Sequence, residues 1–210
     1  MGKVWVLAGA MGSGKSTVAR LFEDEGARIL DADALAHDLL REETWIARSL
    51  ADVLGEAVLD EEGQADRKKI GELVFSDPEA RRRLESLLHP LVLEKLTRIS
   101  REFREKEEGL LLLEVVLWLT LDPAPFPVDE VLVTVAPEEE MIKRVMQRDG
   151  LRESETRLRL KAQGHWWDWA KKSDRTLDTD CDRESLRDQV RLIYRGISSN
   201  QGKGIDDAQS

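Results

Sequence analysis

Apolar residues fall into two kinds of run along this chain: short unbroken blocks, and longer stretches in which they recur every three or four positions. Apolar blocks at 4–8, 110–113 and 131–135 predict strands, the latter two of the kind a parallel sheet buries on both faces; 27–30 is a shorter apolar segment, and 175–178 predicts a last short strand. The recurring pattern predicts helices. One carries Val18, Ala19, Leu21 and Phe22; two follow with Leu35, Ala36, Leu39 and Leu40, then Ile46, Leu50, Val53 and Leu54. Met141, Ile142, Val145 and Met146 mark another, opened by Pro137, and Leu186, Val190 and Ile193 a closing one. From 66 to 106 the pattern is helical throughout, with one stripe at Ile70, Leu73 and Val74 and a longer one over 84–99. No strand interrupts it, so these residues read as a helical insertion beside the sheet. Pro78 suits a helix start, whereas Pro90 lies inside the longer stripe and is expected to kink it by removing one N–H bond. The acidic segment 55–64 reads as a surface loop and 122–127 as a proline-rich connection. Residues after about 198, without periodicity, read as a frayed tail.

Composition narrows this picture. With 210 residues, 41% hydrophobic and 35% charged, the chain is expected to be one soluble domain large enough for a real core. A net charge of −10 argues against nucleic acid or an anionic membrane surface as partner, so an anionic substrate would have to meet a local cluster of Arg and Lys. The longest apolar run, 110–121, is broken by Glu114 and too short to cross a bilayer. A strand begins almost at the N-terminus, which leaves no room for a signal peptide. Cys181 is the only cysteine, excluding an intrachain disulfide, and His37, His89 and His165 are too scattered to suggest zinc. The expectation is a cytoplasmic protein.

The chemistry concentrates at residues 9–17, Gly-Ala-Met-Gly-Ser-Gly-Lys-Ser-Thr, between the first strand and the first helix. They fit G-x-x-x-x-G-K-[ST], with Gly9, Gly14, Lys15 and Ser16 in the fixed places. Glycines let backbone N–H groups turn inward around phosphates, and the helix beginning near Lys15 points its partly positive end at them. The cradle is expected from Gly9, Gly12, Ser13, Gly14, Lys15, Ser16 and Thr17, with Lys15 reaching the β- and γ-phosphates of ATP and the Ser16 hydroxyl holding Mg²⁺. Asp31-Ala32-Asp33 follows the second strand, beyond whose carboxyl end ligands bind in an open parallel sheet. Glu114 closes the third strand, where it would help hold a metal-bound water or form a structural ion pair. Arg144 and Arg148 lie one turn apart on one helix, and an Arg-rich stretch leads from there into Gly164-His165-Trp166-Trp167-Asp168-Trp169. A P-loop by itself identifies a nucleotide-binding fold and leaves the reaction open.

The order of motifs resembles bacterial dephospho-coenzyme A kinase. The likeness spans about residues 3–195. It rests on the P-loop with Asp31-Ala32-Asp33 and His37; on Arg67-Lys68-Lys69-Ile70 through Val74-Phe75-Ser76-Asp77-Pro78; on His89-Pro90; and on the helix from 144 to 148 followed by Asp149-Gly150. The resemblance implies transfer of the γ-phosphoryl of ATP to the ribose 3′-hydroxyl of dephospho-CoA. It also implies an α/β P-loop NTPase three-layer fold with a parallel five-stranded sheet, a helical acceptor-binding insertion and a mobile helical lid. On that plan residues 1–60, 108–147 and 173–197 form the core, 61–107 the acceptor-binding region, 148–172 the lid and 198–210 a disordered tail. Two departures stand out. Val116-Leu117-Trp118-Leu119-Thr120 replaces the family's Pro-Leu-Leu-Phe-Glu, and after Arg159-Leu160-x-x-Gln163 the Trp-rich run replaces Met-Pro and a charged segment, with Thr179 near an expected Asn.

Within this frame Asp33 is the candidate to orient the acceptor hydroxyl and take its proton, with Asp31 as its partner; Asp33 would also suit the N-cap of a helix starting at Ala34. Lys15, Arg144 and Arg148 are the candidate catalytic cations, joined by Arg159 as the lid closes. His37, His89 and Pro90 are candidates for the acceptor pocket, although His89-Pro90 equally suits a capped helix kink. Arg81-Arg82-Arg83 reads first as a solvated face. The Trp cluster suits stacking on adenine, shielding of the closed site, or packing of the lid. Two rival functions share the P-loop: a kinase for another nucleoside or nucleotide, and a nucleotide-hydrolysing switch. The latter is disfavoured by the lack of an Asn-Lys-x-Asp guanine motif.

Overall fold

The structure is a computed structural model that describes residues 1–42, 44–116, 118–120 and 124–201. Leu117 in the first departing segment, part of the proline-rich connection, and the tail from 202 onward lie outside the described residues. Five parallel strands form one sheet: β1 (Lys3–Gly9), β2 (Arg28–Asp31), β3 (Leu110–Glu114), β4 (Glu130–Val135) and β5 (Arg175–Asp178), in the order β2-β3-β1-β4-β5. β1 sits at the centre, pairing Leu7 with Glu114 on one side and Leu132 on the other. It is followed by α1 (Lys15–Asp24), so the P-loop leaves from the middle of the carboxyl edge.

Central strands read as unbroken apolar blocks because both their faces are covered. On one face Trp5, Leu7, Leu110, Leu112, Leu132 and Leu177 pack with Val18, Leu21 and Phe22 of α1 and with Leu186 and Val190 of α8 (Arg183–Gln201). The alternate residues Val4, Val6, Ala8, Leu111, Leu113, Val131 and Val133 are equally buried toward the opposite face. α6 (Glu138–Asp149) and α7 (Glu153–Ala162) follow β4, and a 3₁₀ segment over Trp166–Lys172 leads into β5. The helix α8 continues to Gln201, past the point at which the tail was expected to begin.

The described chain forms two compact units. One comprises residues 1–30 and 100 onward, and the other residues 31–99. The second unit, residues 31–99, is the helical one. It contains α2 (Ala32–Glu42), α3 (Thr44–Leu54), α4 (Arg67–Ser76) and most of α5 (Pro78–Lys106). Within it α2 lies on α3, α3 on a 3₁₀ turn at Glu56–Val58, and that turn on α4. The expected loop 55–64 is therefore partly ordered, closed by a bridge between Leu59 and Ala65. Asp66 caps α4, its carboxylate accepting the Lys68 and Lys69 N–H groups at 2.9 and 3.2 Å. The helix α5 runs as one element through Pro90.

Leu112 is fully buried in the central layer. Leu112→Ala is expected to lower unfolding free energy by about 2–5 kcal/mol. Leu192→Ala on α8, where the side chain is 75% exposed, should change it by no more than about 0.5 kcal/mol. Equilibrium urea denaturation measures both.

Candidate active site

The P-loop is shaped by what its backbone must pass. Gly12 has φ +81°, and a Cβ there would fall 2.4 Å from the carbonyl oxygen of Met141 on α6. Gly14 has φ +89°, and a Cβ there would stand 3.1 Å from the side chain of Thr179. Neither backbone conformation suits an L side chain, and at Gly12 the neighbour is main chain that cannot swing aside. Gly14 is also the N-cap of α1, which has neither a side-chain cap nor an acid in its first turn. The first turn thus brings no negative charge of its own to the partly positive helix end.

Distant elements fix the loop's polar groups. Gln163 Oε1, at the C-cap of α7, accepts the Met11 N–H at 2.8 Å. Ser13 is buried: its N–H donates to the Ala10 carbonyl, and its hydroxyl is 2.6 Å from that of Thr134 on β4. Thr179 Oγ1 donates to the Ser13 carbonyl at 2.9 Å and accepts from Arg144 Nη1 at 2.9 Å. Arg144 Nη2 donates to the Thr179 carbonyl at 2.9 Å, and its Nη1 makes a longer contact with the Gly12 carbonyl at 3.4 Å. Ala10 and Met11 pack with Met141, Ile142, Leu160 and Trp166. Lys15 Nζ donates to the Gly9 carbonyl at 2.8 Å. Ser16 and Thr17 are exposed at the start of α1.

Beside the loop is a cavity of about 410 Å³, lined among others by Gly14, Thr17, Arg20, Arg144, Thr179 and Cys181. It opens next to the residues that would face a phosphate chain and is roomy enough for a nucleoside. Glu114 is half-buried at the end of β3, beside Leu7 of the neighbouring strand.

Two of the expected cations, Arg148 and Arg144, have acids nearby. Arg148 is exposed and makes a two-pronged bond to Asp149, at 2.6 and 2.8 Å. That bond raises the Arg148 pKa and holds the Asp149 carboxyl below its ordinary value. Arg144 has Asp180 at 3.9 Å in addition to its hydrogen bonds. Arg157, in the Arg-rich stretch, bonds Glu139 on α6 and Glu153 on α7, which raises its pKa, and also bonds Glu138 on α6. Arg159 is exposed on α7.

In the helical unit, Asp33 is exposed in the first turn of α2. The cap of that helix is Asp31, whose carboxylate accepts the N–H groups of Asp33 and Ala34 at 2.8 and 3.3 Å. The helix starts at Ala32, so the expectation that Asp33 caps it is corrected by two residues. His37 on α2 and His89 and Pro90 on α5 are exposed. Because α5 is continuous there, His89-Pro90 is not a helix terminus.

The dephospho-CoA kinase family model, CoaE, matches residues 4–184. The chain belongs to the dephospho-CoA kinase family. The dephospho-CoA kinase of Carboxydothermus hydrogenoformans is 34% identical over 90% of this chain and 91% of its own length. A crystal structure of a Thermus thermophilus protein superimposes with a TM-score of 0.74 at 33% identity, covering 93% of this chain and 97% of that one. The dephospho-CoA kinase of Campylobacter jejuni gives 0.69 at 25% identity, over 96% of this chain and 100% of that one. Membership of this kinase family brings ATP as phosphoryl donor.

Of the residues that depart from the family pattern, Trp118, Trp166 and Trp169 are packed. Trp118 is buried and meets Phe126 edge-on at 4.9 Å. Trp169 is buried and Trp166 packs near Met11, whereas Trp167 stays exposed with its ring edge-on to Trp166 and His165. None of the three lines the cavity next to Gly14. Thr134, Gln163 and Thr179 hold the loop, yet sequence reasoning gave them no role. Only Gln163 and Thr179 left a trace, one inside a motif and the other as a departure from one.

Gly12→Ala would force a left-handed alanine against the Met141 carbonyl. That backbone alone costs about 1–2 kcal/mol, so ATP affinity is expected to fall by about tenfold or more. Isothermal titration with a non-hydrolysable ATP analogue reads this, and an unchanged Kd would mean the loop has room to move.

Proposed function

We propose that this protein transfers the γ-phosphoryl group of ATP to the ribose 3′-hydroxyl of dephospho-CoA, giving coenzyme A and ADP in the cytoplasm. The observation that carries the reading is a P-loop shaped for phosphates within a chain that matches the dephospho-CoA kinase family almost end to end. Phosphoryl transfer needs positioning and charge neutralisation more than covalent help from the protein. On this reading the backbone N–H groups of Gly14, Lys15 and Ser16 face the β- and γ-phosphates, and Lys15 turns from the Gly9 carbonyl to them. The nucleoside of ATP occupies the cavity beside Gly14, with the Arg144 guanidinium as one wall.

Asp33 orients the acceptor hydroxyl and takes its proton as the oxygen attacks phosphorus. Asp31, engaged in capping α2, supports it by fixing the backbone that carries it. Arg148 and Arg159 approach the transferring group from α6 and α7. Arg148's exposed pairing with Asp149 is weak enough for a more highly charged phosphate to replace it. His37, His89 and Pro90 contribute to the acceptor pocket of the helical unit.

The Ser16 hydroxyl and Glu114 carboxylate suit Mg²⁺, since both offer hard oxygen donors. Among the described residues no group of three or more His, Cys, Asp or Glu could hold a metal. That fits an ion held mainly by the nucleotide's phosphates and water, with one or two protein oxygens. When bound, Mg²⁺ supplies positive charge to the phosphate oxygens during transfer.

ADP release coupled to NADH oxidation, with and without dephospho-CoA, tests the reaction. ADP that appears only with dephospho-CoA is expected; release without an acceptor, or only with other nucleosides, would contradict it. Asp33→Asn should keep ATP affinity while lowering kcat by roughly 10²–10⁴, and near-normal turnover would remove Asp33 from the mechanism.

A further inference from the structure

Beside the phosphate loop sits a threonine that bonds both the loop and Arg144. Thr179 follows β5 and is 5% exposed. A hydroxyl has one proton to give. That of Thr179 reaches the Ser13 carbonyl at 2.9 Å, with the Val135 carbonyl a longer alternative at 3.2 Å. The same oxygen accepts from Arg144 Nη1, and the residue's own carbonyl accepts from Arg144 Nη2, each at 2.9 Å. Its N–H donates to the Val135 carbonyl at 2.9 Å, which ties it to the end of β4. One side chain thus joins the loop to α6, and its backbone fixes it to the sheet.

The Ser13 bond bears on the loop's chemistry through peptide geometry. A trans peptide unit is planar, with its C=O and N–H pointing in opposite directions. When Thr179 holds the Ser13 carbonyl, the N–H of Gly14 in the same unit must point away from Thr179. Gly14 is the residue from which α1 starts, so the direction of this N–H sets how the loop delivers its amides at the helix end. The Thr179 side chain also fills the space beside Gly14 in which a Cβ would stand at 3.1 Å. Thr179 and Arg144 share a wall of the cavity, so a slack hydroxyl would loosen both the cradle and that wall.

We infer that Thr179 is a positioning residue for ATP: through its hydroxyl it holds the Ser13–Gly14 peptide and the Arg144 guanidinium in the orientation that nucleotide binding requires. This rests on the proposal that the P-loop and its neighbouring cavity take ATP, and it concerns the donor alone. Valine has nearly the shape of threonine without the hydroxyl, and serine keeps the hydroxyl with less bulk. Thr179→Val leaves a buried carbonyl and a guanidinium without their shared partner.

The test compares Thr179→Val, Thr179→Ser and the unaltered protein by direct titration with ADP and by steady-state kinetics with dephospho-CoA. Thr179→Val is expected to weaken ADP binding and lower kcat/KM for ATP by about tenfold. KM for dephospho-CoA should stay within about twofold, and Thr179→Ser should recover most of the loss in both measurements. Thr179→Val with unchanged ADP affinity overturns the inference, as does a serine variant as impaired as the valine one. A valine variant equally impaired toward both substrates, with a lowered unfolding midpoint, marks general damage and overturns it too. The ADP titration needs no acceptor, so it decides the role of Thr179 even if dephospho-CoA proves not to be the acceptor.

Discussion

A backbone amide can be offered to a phosphate only if its carbonyl, on the far side of the same planar peptide, has somewhere else to go. In this protein that constraint is met partly by the P-loop's own lysine and partly by residues distant in the chain. Thr179 receives the Ser13 carbonyl, Lys15 and Arg144 reach the Gly9 and Gly12 carbonyls, and Gln163 takes the Met11 N–H. Thr134 holds the Ser13 hydroxyl down against the sheet. The loop's own turn adds the Ser13 to Ala10 bond. Its shape is therefore a property of β4, α6, the C-cap of α7 and the residue after β5, and only secondarily of its glycines. The glycines make the path sterically available, and the neighbours select it.

The same elements account for how an acidic chain can handle polyanionic substrates. Two of its candidate cations are held by nearby oxygens, Arg148 by Asp149 and Arg144 by Thr179 and Asp180, and the neighbouring Arg157 bonds three glutamates. The Arg157 bonds tie α7 to α6, and so also bear on the placement of Gln163 at the end of α7. Exposed pairs of this kind contribute little to stability. A nucleotide phosphate, carrying more charge than one carboxylate, competes well for them. On the proposed reading, the acids keep the arginines in place until a substrate exchanges with them.

How much of this was legible in the sequence depends on distance along the chain. The P-loop, the strands and most helices follow from patterns within a dozen residues, and they stand where the patterns put them. The anchors of the loop do not. Ser13 and Thr134 are 121 residues apart, Gly12 and Arg144 132, Met11 and Gln163 152, and Ser13 and Thr179 166. No local period encodes such pairs. Nearer errors have their own causes: β2 ends at Asp31, so the following helix starts at Ala32 and is capped two residues earlier than the Asp-Ala-Asp pattern suggests.

The central claim is that neighbouring elements set the loop before nucleotide arrives, leaving the amides at the start of α1 to be used by the phosphates. Amide hydrogen exchange followed by NMR, with and without a non-hydrolysable ATP analogue and Mg²⁺, tests it most directly. The account predicts that the N–H groups of Met11 and Ser13 are already slow to exchange in the empty protein, and that those of Gly14, Lys15 and Ser16 slow only when the analogue binds. Rapid exchange at Met11 and Ser13 in the empty protein, with protection there appearing only on binding, would show instead that the nucleotide shapes the loop.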